Sequence, residues 1–510
     1  MRSRFLQVVV LGWLTWVADG HSQETAASGP VYLVYAGPFS TSPSSSFGHV
    51  LLVQSPSPDT PVPMWDALSF TAETHQAGPL RFLTVGIMGG FLGHYRRLKF
   101  YQKTRDYQTL EDRDLWLLEL TLTDEQHKLL AASLERKGDL RYPYTFFHRN
   151  CAYYIQTVLA DVVQSVPYPR GMVSPIEVYR LAANSDAAGG HFFRPAESTQ
   201  VRNRLLALGD STAQIVLRSE WQTLATNYSW LRDLNHKERL IIHEYLEWRT
   251  LRLNTVPADE VTEGLKLLRR LNAESMGSPL ADRRRNVIGA AISPPRFHQY
   301  GKVTASGQIG GDHRLGLRYR PGVHDLTDPW EGHRPINTME ALALEISVSA
   351  WDRPSSLRLE EFVVFSQRSL SPVDAVSAKR SWLLDVAVRR PSTDSELKGS
   401  VRYGTGYAKQ ILKSGAHIHA LLGGSLESSI TRTTVAVDMQ GGISAMIGRS
   451  WRGGLETEWR GKRALSSVGH RRFVAWLHHD VHGSIGIGAR AVRERGSTVG
   501  WLSISARVGN

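Results

Sequence analysis

Apolar residues along this chain follow three successive rhythms. In the first stretch, short apolar runs alternate with helical spacings. Val31 to Tyr35 and His49 to Gln54 read as strands, and Leu115 to Leu122 reads as another with apolar residues at alternate positions. Thr123 then has the character of an N-cap, with Gln126 at the capping-box position ahead of Leu129, Leu130 and Leu134. Asn150 predicts a second helix start, whose Ile155, Val158, Leu159 and Val162 share one face. Residues 196–295 carry helical spacing throughout, with an arginine-bearing amphipathic stretch from Arg239 to Leu253. Pro294 and Pro295 break it.

From about residue 300 the period becomes two. Leu342, Leu344, Ile346 and Val348 alternate with small or polar residues, and so do Trp382, Leu384, Val386 and Val388. Ile485 and Ile487 lead a third segment, and Leu502, Ile504, Ala506 and Val508 a fourth. Gly-, Ser- and Pro-rich turns separate roughly a dozen such segments of about 9–11 residues, the length that crosses an outer membrane as a tilted strand. A soluble β-sandwich alternates similarly. Strand length and tryptophans near strand ends (Trp351, Trp382, Trp451, Trp459, Trp501) favour a transmembrane barrel with a wet interior.

The first residues add a destination. Arg2 and Arg4 precede an apolar run from Phe5 to Val17, and Ala18, Asp19 and Gly20 supply a small-residue cleavage zone, the pattern of a secretory signal. No later segment is apolar for the length a membrane helix needs. The expected organisation is a signal peptide at 1–22, a mixed domain at 30–195, a helical linker domain at 196–295 and an outer-membrane-type barrel at 300–510. The fold class is α+β, with a C-terminal antiparallel barrel of roughly 12 strands. The formal charge of +12 is spread along the chain, and its densest cluster is only Arg283, Arg284 and Arg285. It reads as solvated surface, and no nucleic-acid partner is expected.

Candidate chemistry centres on Cys151, the single cysteine of 510 residues. One cysteine forms no intramolecular disulfide. In an oxidising compartment a lone thiol is a liability unless buried or used, and burial as a small hydrophobe is the ordinary alternative. Cys151 follows the Asn150 cap, so its thiol lies at the positive end of a helix dipole, where a thiolate is stabilised. A nucleophilic cysteine needs a base. His49 begins an apolar strand after Gly48, which projects an imidazole from a rigid element. His148, His75 and His94 are alternatives, and a satisfied buried histidine is the bland reading of His49. Asn150 is a candidate to orient the base or lend an amide to an oxyanion site.

At these residues a family resemblance appears. Ser46-Phe47-Gly48-His49-Val50-Leu51-Leu52, Glu111-Asp112-Arg113-Asp114-Leu115-Trp116 and Tyr142 to Tyr154 around Asn150-Cys151 resemble the Lnb-type N-terminal periplasmic domain. Gly89-Gly90 ahead of Tyr101 fits the same pattern. The resemblance spans roughly residues 30–200. It implies a permuted papain-like domain of the NlpC/P60 type, with the histidine strand before the cysteine helix. It also implies thiol-dependent acyl transfer or hydrolysis in the Gram-negative envelope, since members named Lnb are lipoprotein N-acyltransferases.

The expected function is therefore an envelope acyltransferase or acyl hydrolase working through a Cys151 acyl-enzyme, with His49 as base and Asn150 beside it. Lipid or lipoprotein is the expected substrate, the outer membrane the expected location, and no cofactor or metal is expected. A cysteine peptidase or amidase acting on peptidoglycan and a non-catalytic scaffold or channel are the rival readings. His478, His479, Asp480 and His482 read as a barrel-lumen patch rather than a metal site. His243-Glu244 lacks a second zinc-ligand histidine. Gly483 to Gly488 lacks the following helix of a nucleotide loop.

Overall fold

The computed structural model describes residues 29–508 except 40–47, 58, 75–78, 139, 209–233, 254–265, 267–300, 311–312, 329–336, 350–356, 375, 378, 392–395, 412–415, 431, 449, 463–469, 483 and 495. The signal segment, Ser46, Phe47, His75, the Arg283–Arg285 cluster, Pro294, Pro295 and Trp351 lie outside the described residues.

In the N-terminal domain, β1 (Val31–Ala36), β2 (His49–Gln54), β3 (Asp66–Ala72), α1 (Pro79–Met88), β4 (Phe91–Lys99) and α2 (Phe100–Thr104) lead into a π-helical turn at Arg105–Leu110. There follow β5 (Leu115–Leu120), α3 (Asp124–Lys137), β6 (Tyr142–Tyr144), α4 (Cys151–Val162), α5 (Pro175–Ala183), β7 (Ala188–Arg194) and α6 (Glu197–Leu206). The strands form one antiparallel sheet in the order β6-β4-β3-β2-β1-β5-β7. The central strands β1, β2 and β5 are apolar on both faces because the sheet lies between two layers. Val50, Leu52, Leu68, Phe70 and Leu118 pack under Ile155, Val158, Leu159, Ile176 and Tyr179 of α4 and α5. Val34, Leu51, Val53, Ala67, Leu115 and Leu117 pack against Trp65, Phe100 and Tyr107 on the other side.

The capping box at Thr123 and Gln126 forms as the sequence predicts, and Asn150 caps α4. Leu129 faces solvent while Leu130 and Leu134 turn inward. One local expectation is corrected. The strand at Leu115 ends at Leu120, where the chain turns towards the Thr123 cap. Of the middle segment, α6 and α7 (His236–Leu253) are described and pack on each other, and Arg204 pairs with Glu244 between them.

The last region is a closed barrel. Its strands are β8 (Gly301–Ile309), β9 (Arg314–Arg320), β10 (Gly322–His324), β11 (Asn337–Ser349), β12 (Arg358–Ser369), β13 (Ser381–Arg389) and β14 (Lys398–Gln410), followed by β15 (His417–Ser428), β16 (Thr433–Ile447), β17 (Trp451–Lys462), β18 (His470–His482), β19 (Ile485–Glu494) and β20 (Ser497–Val508). Neighbours pair antiparallel from β11 to β20. β20 then pairs with β8, β8 with β9, and β9 with β11, which closes a ring of 12 strands with β10 as a short extension on β11. Outward positions are exposed and apolar, among them Leu317, Leu422, Val437, Leu455, Ile487 and Ile504. Inward positions are charged and paired: Arg318 meets Glu340, Glu345 and Glu361, and Arg402 meets Asp438 and Glu458. An apolar wall around a polar interior is what lipid outside and water inside select.

The alternation expected from Leu342 to Val348 breaks at its first member. Leu342 takes a left-handed φ of 53°, and the β12–β13 register shifts between Val363 and Phe365. The bulge turns the faces over. Ala343, Val363 and Ala387 point into the barrel on the side of Asp385 and Arg389, while Met339, Ala341, Phe365 and Val386 point out. That outward patch is buried, because Phe91, Phe146 and Phe147 of the N-terminal domain pack on it, flanked by Phe82, Tyr144 and Met172. Polar contacts flank the seam, with Arg202 pairing with Asp374 at 2.8 Å and Lys379 with Asp112 at 3.3 Å. Phe365→Ala should weaken this docking by about 3 kcal/mol, the usual cost of deleting a buried phenyl ring. Hydrogen exchange at Phe146 and Phe147 should accelerate while barrel amides keep their protection.

Candidate functional site

The site is assembled where three elements end. Gly48 has φ of 89°, and a Cβ there would lie 2.7 Å from the Tyr35 ring and 2.8 Å from the Ala36 carbonyl, so the turn into β2 requires glycine. His49 pairs across the ladder with Ala36 and leaves β2 on the face of Leu51 and Tyr107. Its ring lies 6.0 Å from that of Tyr107, and its Nε2 is 2.9 Å from the hydroxyl of Ser69, which is fully buried on β3. Burial, with Lys103 and Arg113 nearby, holds the imidazole well below its ordinary 6.5, so it is neutral at physiological pH.

Cys151 is the first residue of α4 and is 7% exposed. Its sulfur accepts hydrogen bonds from the backbone N–H groups of Val50 and Ala152, and its own N–H also favours the thiolate form. The Val50 contact is explained by the sheet. The β2–β3 ladder runs over Leu52–Gln54 and Asp66–Leu68, whereas β3 continues paired with β4 as far as Ala72. Beyond Leu52 the edge of β2 that faces β3 parts from it, and the sulfur enters there. A backbone N–H lies in the plane of its sheet, so a sulfur bonded to it sits between the two faces. Although the Cys151 side chain belongs to the α4 layer and His49 leaves on the opposite one, both groups feel Arg113, and Tyr107 touches the His49 ring and the field of Cys151.

Burial pushes the thiol up to about 11, and the three amides and Arg113 pull in the opposite direction without overcoming it. The resting pair is therefore a protonated thiol with a neutral imidazole.

Asn150 is committed to architecture. Its side-chain oxygen accepts from the Tyr153 N–H at 3.1 Å, and its amide donates to the carbonyls of Phe146 at 3.0 Å and Val173 at 2.8 Å. Of the alternative bases, His148 is exposed, and His94 pairs with Glu73 at 3.1 Å. Ser69, Tyr107 and Arg113 had no assigned role in the sequence reading. Ser69 lies in an apolar run that looks like core, and only the β2–β3 register brings it to His49. Among the described residues no group of three or more His, Cys, Asp or Glu side chains is arranged to hold a metal, and His478 and Asp480 join the lumen ion pairs of Arg452 and Arg507.

Residues 19–185 match the family described as the Lnb N-terminal periplasmic domain. This region is an Lnb N-terminal periplasmic domain. Residues 291–507, which hold the barrel, match a domain of unknown function, DUF7840. Among solved structures the chain is similar to the KdgM porin in complex with disordered oligogalacturonate, at 8% identity over 41% of this chain and 99% of that one with a TM-score of 0.27. It is also similar to the anion-selective porin from Comamonas acidovorans, at 9% identity over 41% and 98% with a TM-score of 0.21. The outer membrane protein Omp33 of Acinetobacter baumannii is similar at 8% identity over 41% and 98%, with a TM-score of 0.23. No curated protein matches. The Lnb domain is periplasmic, and the closed barrel with its apolar outer wall sits in the outer membrane.

The Lnb domain thus presents its cysteine on a capped helix whose start depends on one side chain. Asn150→Ala should lower the stability of the domain by about 2 kcal/mol, since it removes the cap and both amide bonds. Asn150→Asp keeps the cap acceptor but not the donors, so it should recover only part of the loss in thermal unfolding.

Proposed function

We propose that the Lnb domain is a thiol-dependent acyltransferase or acyl hydrolase that acts through a Cys151 thioester. The observation that supports it most directly is the hydrogen bond from the Val50 amide, the residue after His49, to the Cys151 sulfur. It sets the sulfur beside β2 one residue after His49, about a hundred residues earlier in the chain, and a cysteine nucleophile needs a base within reach. Histidine strand before cysteine helix is also the order of the permuted papain-like enzymes.

On this reading Ser69 accepts a hydrogen bond from His49 Nε2–H, which leaves Nδ1 as the basic nitrogen. As Sγ attacks an ester or amide carbonyl, the thiol proton passes to Nδ1 and the carbonyl oxygen gains the negative charge. The tetrahedral species collapses, the alcohol or amine leaves with the proton from Nδ1, and the acyl group stays on sulfur. An amine, alcohol or water then attacks the thioester, gives its proton to Nδ1, and the proton returns to sulfur as the acyl group departs. Because thiol and imidazole both rest neutral, proton transfer accompanies attack rather than preceding it.

The substrate we favour is a lipid or lipoprotein acyl group. The aromatic segment that precedes Cys151 packs on the outer wall of the barrel, and an acyl chain drawn from the membrane is the substrate that such a position favours. Incubation of the full chain with a diacylated lipopeptide or a phospholipid should give a hydroxylamine-labile acyl adduct on Cys151. Cys151→Ala should abolish the adduct, and His49→Ala should slow its formation by roughly 100-fold or more. Since His49 remains neutral well below 6.5, activity should persist at pH 6, with its acid limb below that value. Adduct or cleavage with muropeptides alone would favour a peptidoglycan amidase. No adduct with any of these would leave the domain a scaffold.

A further inference from the structure

The turn after β10 folds into the barrel and reaches its far wall. Round the ring, β11 and β17 are six strands apart in either direction, so they stand on opposite walls. β10 extends β11, yet the Thr327 carbonyl, three residues beyond β10, accepts from Arg452 Nε of β17 at 3.1 Å. Asp328 is 1% exposed and is held from three further strands, by Lys302 of β8 at 3.1 Å, Arg320 of β9 at 2.6 Å and Arg507 of β20 at 3.4 Å. Asp325 pairs with Arg320 at 3.0 Å, and Lys302 also donates to the Thr327 hydroxyl at 2.5 Å. Asp480 of β18 completes this layer by binding both Arg452 and Arg507.

Apolar side chains fill the other half of this mouth. Ala408 of β14 and Leu421 of β15 take inward positions, alternating with the exposed Tyr407 and Leu422. Leu383 of β13 and Leu370 from the end of β12 pack with them. The β12–β13 turn is tied to the same place, with the Val373 N–H donating to the Ala408 carbonyl at 2.7 Å. A second crossing joins Arg368 of β12 to Glu456 of β17, five strands round the ring, at 2.8 Å. His419 is buried beside this bridge, and a Cβ on Gly442 would lie 2.8 Å from its ring and 3.1 Å from Glu456 Cγ. The lumen at this point lacks room for one added methyl group.

We infer that the barrel is a sealed membrane anchor for the Lnb domain and not a route for solutes, closed at its periplasmic mouth by residues 325–328 and the apolar cluster around Leu421. The mouth is the periplasmic one because the β12–β13 turn at the same end pairs with the N-terminal region, Asp374 with Arg202 and Lys379 with Asp112. A conducting barrel holds a continuous column of water between its walls. Here ion pairs join opposite walls directly, and opening either crossing leaves buried charges without partners. The apolar half of the mouth offers a passing ion nothing to replace its hydration. The inference is independent of Cys151, since a catalytic domain and a scaffold would be anchored alike.

The test is ion conductance of the full chain in planar bilayers of neutral phospholipid, with folding checked beforehand by the heat-modifiable mobility of the barrel in gel electrophoresis. The wild-type chain should give no current steps beyond those of protein-free detergent. Steps of uniform size from the folded wild-type barrel overturn the proposal. Asp325→Ala, Asp328→Ala and Glu456→Ala combined remove the carboxylates behind both crossings, and this variant should pass current in uniform steps. Glu427→Gln removes a pair that Arg460 makes along the wall, two strands away, and should stay as silent as the wild type. A triple variant that folds and stays silent overturns the assignment of the seal, and so does a Glu427→Gln chain that conducts as the triple variant does. If the triple variant does not fold, Arg368→Ala with Arg452→Ala removes the cationic halves of the same ties. Uniform steps are expected from it as well, and silence from its folded form counts against the seal in the same way.

Discussion

The geometry around Cys151 depends on the side chain of Asn150. Its three hydrogen bonds join the first turn of α4, the carbonyl of Phe146 and the carbonyl of Val173 at one buried point. An amide buried with one of these bonds unmade would carry a desolvation cost of about 1–3 kcal/mol, so the three segments have strong reason to meet only in this way. Two placements follow. The helix starts at the residue that sets the sulfur against the amides of Val50 and Ala152. The aromatic segment before it is drawn tight enough for Phe146 and Phe147 to reach the barrel. Asparagine suits this point better than serine or aspartate. Serine caps a helix equally well but cannot donate to two carbonyls, and aspartate can donate to neither.

Burial sets the electrostatics of the site more than any single charge does. It favours the neutral form of both groups, raising the thiol and lowering the imidazole. Arg113 then acts on the two with opposite consequences, since a cation favours a thiolate and disfavours an imidazolium. The thiolate–imidazolium pair familiar from exposed cysteine enzymes is accordingly unfavoured at rest. With burial pushing the thiol up to about 11, the thiolate is a minor species at pH 7. A buried, protonated thiol is also protected from oxidants, which answers the difficulty a lone cysteine faces in the periplasm.

Much of this was legible in the residues, and the reasons differ by element. Thr123 with Gln126 and Asn150 were readable as caps because capping is local chemistry between residues three apart. The barrel was readable because its outward and inward positions face different solvents, which imposes period two over each strand. The bulge at Leu342 was not readable. It lies where the domain rests on the wall and buries Met339, Ala341 and Phe365 where lipid would otherwise be, so that one apolar environment replaces another. Hydropathy cannot distinguish those two environments. Ser69 and Arg113 escaped for a related reason. The role of Ser69 is fixed by strand register, and that of Arg113 by carbonyls far from it in sequence. Among the described residues of the middle segment α6 and α7 were legible as helix, but their packing was not, because Arg239 to Leu253 carries charge around much of its circumference.

The two halves of the molecule use buried charge differently. In the barrel, arginines and carboxylates pair along the lumen, as in Arg318 with Glu340, Glu345 and Glu361, and in Arg320 with Asp328. Removing one partner of such a pair leaves an uncompensated charge, so the pairs discriminate against misregistered strands even where their net contribution to stability is small. In the Lnb domain, two of the three side-chain hydrogen bonds of Arg113 run to backbone carbonyls. A carbonyl fixes the position of a guanidinium without neutralising it. The wall of the barrel supports the domain through apolar packing, which carries no charge to the site, and through Lys379, which binds the aspartate beside Arg113 rather than Arg113 itself. The domain is thereby anchored to a heavily charged barrel while its own buried arginine is paired with one carboxylate, that of Glu111.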